Sequence, residues 1–91
     1  MATMDDVRRA GRAQSRQYVL LEVKAATNEM RFFADCITAR ATEIMSASKR
    51  GDFAALVAAS GALTDDRALF DRACAAVAKH TARLAGLSKE D

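Results

Sequence analysis

What most constrains this chain is how long it runs without a helix breaker. It contains no proline, and between about Asp5 and Lys49 the single weak point is Gly11, which costs a helix roughly 1 kcal/mol without stopping it. Apolar residues return within that stretch at Val19, Val23, Ala26, Met30, Phe33, Ile37, Ala41 and Ile44, at spacings of 4, 3, 4, 3, 4, 4 and 3. This near-heptad rhythm belongs to a helix that packs along its whole length against other helices. A second stripe, through Tyr18, Leu21, Ala25, Phe32 and Cys36, lies beside the first. The apolar face is therefore wide, and part of that width exceeds what one helical hairpin covers.

The end of the helix is written in its last residues. Lys49 and Arg50 stand where the macrodipole favours cations, Gly51 is free to take the left-handed cap, and Asp52 is placed to cap the next helix. Phe53, Leu56 and Val57 then mark a short connector helix, about 53–60, that Ser60-Gly61 interrupts. Thr64-Asp65-Asp66 offers the cap and acidic first turn of a final helix, about 64–86. A second possibility stays open: Gly61 is only a weak point and 53–85 form one kinked helix. Phe70, Ala73, Val77, His80, Leu84 and Leu87 repeat at 3, 4, 3, 4 and 3, again a helix seam. Ser88 to Asp91 read as a fraying tail. The expectation is one all-α unit over 1–91, a long amphipathic helix (about 5–49) followed by a helical second half, arranged as a hairpin or small bundle.

A first helix of this extent is about 65 Å long, whereas a compact domain of this size has a radius of gyration near ~13 Å. Residues 53–87 are expected to cover its C-terminal half and leave Tyr18, Val19, Leu20 and Leu21 to another chain or surface, so the protein is expected to be a homo-oligomer. A break near Gly11 or Thr27-Asn28-Glu29 would instead allow a compact bundle. Apolar residues at 51% are too many for a disordered tail, while 29% charged residues suit no membrane span. No stretch approaches the roughly 18 apolar residues that cross a bilayer, and Met1 to Arg16 has no signal-like apolar core. The expected place is the cytoplasm. Cys36 and Cys74, without C-x-x-C spacing and among apolar neighbours, read as buried thiols of a reducing compartment.

Residues that carry chemistry are sparse. The single histidine, His80, has Ala76, Val77, Arg83 and Leu84 at helical spacing, none of which ligates a metal or orients an imidazole. Asp5-Asp6 and Asp65-Asp66 are adjacent pairs that diverge on a helix and read as helix-start charges. There is no phosphate-binding glycine loop and no nucleophile elbow, so neither catalysis nor a cofactor is expected. Arg8, Arg12 and Arg16 line one helix face and could track phosphates. Against that anion-contact reading, no aromatic residue interleaves them, Asp5 and Asp6 precede them, and the net charge is only +2. Asn28, inside an apolar stripe, either fixes register as a buried polar residue or sits at the rim.

In texture the chain resembles the phasins, helical proteins that coat polyhydroxyalkanoate granules in bacteria. The likeness runs from about Leu20 to Leu87. It rests on an alanine-rich amphipathic helix with Met30-Arg31-Phe32-Phe33-Ala34, the break Ser48-Lys49-Arg50-Gly51-Asp52, then Phe53-Ala54-Ala55-Leu56 and a last helix ending Ala82-Arg83-Leu84-Ala85. The resemblance implies a non-enzymatic coat protein that oligomerises through its helices and controls granule size and number. On that reading Phe32, Phe33, Ile37, Phe53, Leu56 and Phe70 either form the hairpin seam or turn outward onto the polymer. Two other expectations compete with it: a soluble helical oligomer that binds another helical protein, and a small nucleic-acid-associated protein using the arginine row.

Overall fold

The computed structural model describes residues 3–89, and it is an all-α antiparallel hairpin of two helices, α1 (Met4–Arg50) and α2 (Phe53–Lys89). Each end is set by local chemistry. Thr3 and Asp6 form a reciprocal capping box, each side chain accepting from the other's backbone N–H at 3.1 Å, which satisfies two of the amides a helix start leaves orphaned. At the other end Gly51 adopts φ 67°, a left-handed conformation that favours glycine. Its N–H and that of Asp52 donate back to Ser48 and Ala47 carbonyls. The Asp52 carboxylate then accepts from Ala55 N–H at 3.1 Å and starts α2.

The expected interruption at Ser60-Gly61 does not occur. α2 passes through it, Thr64 is an interior residue whose hydroxyl donates to the Ser60 carbonyl at 3.2 Å, and Asp66 faces α1 instead of opening a helix. One glycine costs a helix about 1 kcal/mol, less than the packing of the flanking seam contributes. A Cβ at Gly61 would meet nothing within 4 Å. Gly61→Ala is accordingly expected to raise the unfolding free energy by about 0.5–1 kcal/mol, read by urea titration of the helical circular-dichroism signal. α1 is likewise continuous through Gly11 and through Thr27-Asn28-Glu29, where the Thr27 hydroxyl donates to the Val23 carbonyl at 2.7 Å. Ser88 and Lys89 close α2, and the remainder of the expected fraying tail, Glu90 and Asp91, lies outside the described residues.

The uninterrupted α2 also changes what is covered. At 1.5 Å per residue α1 is about 70 Å long and α2 about 55 Å, so α2 reaches past the midpoint of α1 to its first third. Val19, expected in water, is the most buried side chain at 0% exposure, while its neighbours Tyr18, Leu20 and Leu21 stay exposed. The result is a ribbon of 74 × 16 × 13 Å with a radius of gyration of 20.8 Å, well above the ~13 Å of a compact domain of this size.

Val19 is joined in the buried core by Ala26, Ala47, Ala59 and Ala73. Alanine lets the two backbones approach closely but contributes little apolar area. The seam of α1 follows Val19, Val23, Ala26, Met30, Phe33 and Ile37 as expected, then takes Arg40 in place of Ala41, which is exposed, before Ile44 and Ala47. On α2 the expected positions from Phe70 to Leu87 all face inward, and the same spacing extends upstream through Asp66, Leu63, Ala59 and Leu56.

Candidate interaction surface

The division of apolar side chains between seam and solvent defines the surface. Phe33, Ile37, Leu56 and Phe70 are half-buried in the seam, whereas Phe32 and Phe53 turn outward at 61% and 75% exposure. Phe32 rests edge-on against Phe33, ring centroids 5.3 Å apart, so the inner ring holds the outer one in place. Tyr18 and Leu21 project from the same side of α1 as Phe32, because residues seven apart return to one face and Leu21 lies one turn beyond Tyr18. The second stripe expected beside the seam is therefore the one left uncovered, with Cys36 at its half-buried end.

Two shallow grooves run between the helices on one face. The first, about 560 Å³, is lined by Asn28, Glu29, Phe32 and Phe33 of α1 and by Leu69, Arg72, Ala73 and Ala76 of α2. The second, about 550 Å³, lies nearer the turn, with Arg40, Glu43, Ser46 and Arg50 on one bank and Ala55, Ala58 and Ala62 on the other. Glu29, Glu43 and Arg50 recur at multiples of seven on α1, as do Ala55, Ala62, Leu69 and Ala76 on α2, so the grooves belong to a single face. They exist because α2 places alanine at three of those four positions and has no bulk to fill them.

Between described residues, Arg40 with Asp66 and Glu22 with His80 form polar pairs across the seam. The Arg40 guanidinium donates to Asp66 at 3.2 Å and to Glu43 at 3.1 and 3.2 Å. Glu43 first, and then Asp66, raise the Arg40 pKa above its ordinary value. That guanidinium is charged at any physiological pH, so the pair carries no titration. Its effect is on register: a one-turn slip of α2 would set Arg40 and Asp66 against apolar neighbours. Asn28 is exposed at a groove rim, so the register role falls to Arg40 and Asp66. Spacing held a signal for this, since three residues on from Ile37 is Arg40 and four back from Phe70 is Asp66.

The second pair adds to the reading of His80, a half-buried seam residue as its spacing implied. No carboxylate stands beside it on α2, but Glu22 approaches from α1, with Oε2 2.9 Å from Nδ1. The contact has the distance of an ion pair without the alignment of a hydrogen bond. Among the described residues no three His, Cys, Asp or Glu side chains are grouped to hold a metal ion. Of the arginine row, Arg8 is exposed, while Arg12 and Arg16 are half-buried, continue the seam spacing and already have partners within the chain. Among the described residues no helix is long and apolar enough to cross a membrane.

Fold and surface together define a helical hairpin with a thin alanine seam and an apolar stripe left outside it. No family model matches the chain, and no curated protein or solved structure matches it.

Proposed function

We propose that this protein is a non-enzymatic coat protein of the phasin kind, lying along a hydrophobic surface such as a polyhydroxyalkanoate granule in the cytoplasm. One observation carries the reading. Tyr18, Leu21 and Phe32 stand 62%, 63% and 61% exposed along one side of α1, while among the described residues the seam fully buries one large side chain, Val19. A monomer gains nothing by holding that stripe in water. Each such side chain removed from water contributes on the order of 1.5–3 kcal/mol, and several molecules held together on one particle multiply that through avidity. A ribbon 16 × 13 Å in section has no third layer to hide the stripe, so it meets a surface along much of its length.

The test is co-sedimentation of the purified protein with amorphous polyhydroxybutyrate particles, with protein-blocked particles and free DNA as controls, at low and moderate salt. Saturable binding to bare particles that salt leaves unchanged is the expected result, since apolar burial is not screened. Protein that stays in the supernatant retires the coat reading. Retention on DNA that falls steeply with salt would support the arginine row instead.

A further inference from the structure

The grooved face carries an inference that goes beyond the coat reading and stands without it. We infer that this face docks a second copy of the same chain, the two hairpins lying face to face and pointing the same way about a two-fold axis parallel to their length. α1 of each copy then lies over α2 of the other.

Charge selects this arrangement. The cross-seam pairs Glu22–His80 and Arg40–Asp66 set which residues stand at the same level, and they place Glu29 on α1 level with Arg72 on α2, across the same groove. Both are exposed, and neither makes an ion pair among the described residues. Away from the turn the α1 bank is acidic, with Glu22 and Glu29 seven apart, whereas the α2 bank turns basic toward its end at Arg72 and Arg83; nearer the turn the α1 bank is mixed, Glu43 standing beside Arg40 and Arg50. Face-to-face pairing in the same direction sets Glu29 against the partner's Arg72, twice by symmetry, with Phe32 and Leu69 between. Reversing one hairpin end to end would lay α1 on α1 and bring the two glutamate rows together, which is unfavourable.

The size is sufficient. The helices overlap over about 55 Å, and the ribbon is 16 Å wide, giving on the order of 900 Å² per copy against about 800 Å² in a standard stable interface. The alanine bank of α2 admits the partner's larger side chains, and the product is a four-helix bundle in which the open grooves become core. Phe32 belongs to both the groove and the surface stripe, so pairing in solution and adsorption to a particle compete for it.

Sedimentation equilibrium without any particle tests the pairing. The full-length chain is expected at twice its 9.8 kDa mass. Glu29→Arg and Arg72→Glu, each alone, set like charges face to face and are expected to weaken the dimer at least about tenfold with helicity unchanged. Mixing the two single variants restores a one-to-one dimer, because each chain then presents the charge the other lacks. The double variant Glu29→Arg/Arg72→Glu on one chain is expected to dimerise by itself. A wild-type chain that sediments at 9.8 kDa, single variants that dimerise like the wild type, or a mixture that stays monomeric would each overturn the proposal. Failure of particle binding alone would retire the coat reading and leave the dimer standing.

Discussion

Val19→Asp is expected to unfold the open end of the hairpin, lowering the unfolding free energy by at least about 3 kcal/mol, whereas Leu21→Asp is expected to stay within about 0.5 kcal/mol of the wild type. The chemistry of the two substitutions is the same and they lie two residues apart. What differs is the face: Val19 is 0% exposed and Leu21 is 63% exposed. A carboxylate at position 19 would enter a seam whose other fully enclosed members are alanines and would lose its hydration there. Small proteins hold only about 0.05–0.15 kcal/mol per residue, and a seam this poor in large side chains leaves little reserve. Loss is expected to begin where α2 ends, with the first third of α1 separating from the last turns of α2, because that end has no connecting turn. Urea titration monitored by circular dichroism gives the magnitude, and amide hydrogen exchange gives the location. Equal effects from the two variants would refute the seam assignment.

The second large effect concerns the surface stripe. Replacing Tyr18, Leu21 and Phe32 together by serine is expected to abolish retention on polyester particles while leaving the helical signal of the folded hairpin nearly unchanged. Three side chains at on the order of 1.5–3 kcal/mol each amount to more than a thousandfold in affinity. Their removal costs the hairpin little, because exposed side chains contribute little to its folding. Serine at Phe33 or Phe70 confounds the two effects, since both rings face the seam and their loss opens cavities in it. Undiminished retention of the triple variant would show that the surface contact lies elsewhere, with the exposed Phe53 and Val57 near the turn the next residues to examine.

Much of the fold is legible in the residue order. Spacings of three and four place the seam from Val19 to Ile37 on α1 and from Phe70 to Leu87 on α2, and Lys49-Arg50-Gly51-Asp52 marks the turn, because capping and left-handed glycine are local chemistry. The break expected at Ser60-Gly61 fails to form for a physical reason. Local propensity there is poor, but helices in proteins are held mainly by tertiary packing, and Ala59 and Leu63 on either side both face α1. With that break removed α2 extends farther, and Val19 passes from the expected exposed set into the core.

Residue order alone determined helix identity, the position of the turn and the existence of an apolar surplus, since each comes from short-range periodicity and the absence of proline. Only the tertiary structure decided how the surplus divides. It placed Phe33 and Phe70 inside and Phe32 outside, put Arg40 rather than Ala41 in the seam opposite Asp66, and gave His80 a carboxylate from the other helix at Glu22. Those outcomes depend on which residues of two distant segments stand at the same level along the hairpin. The turn and the summed packing of both helices set that level, and no window along one helix contains it.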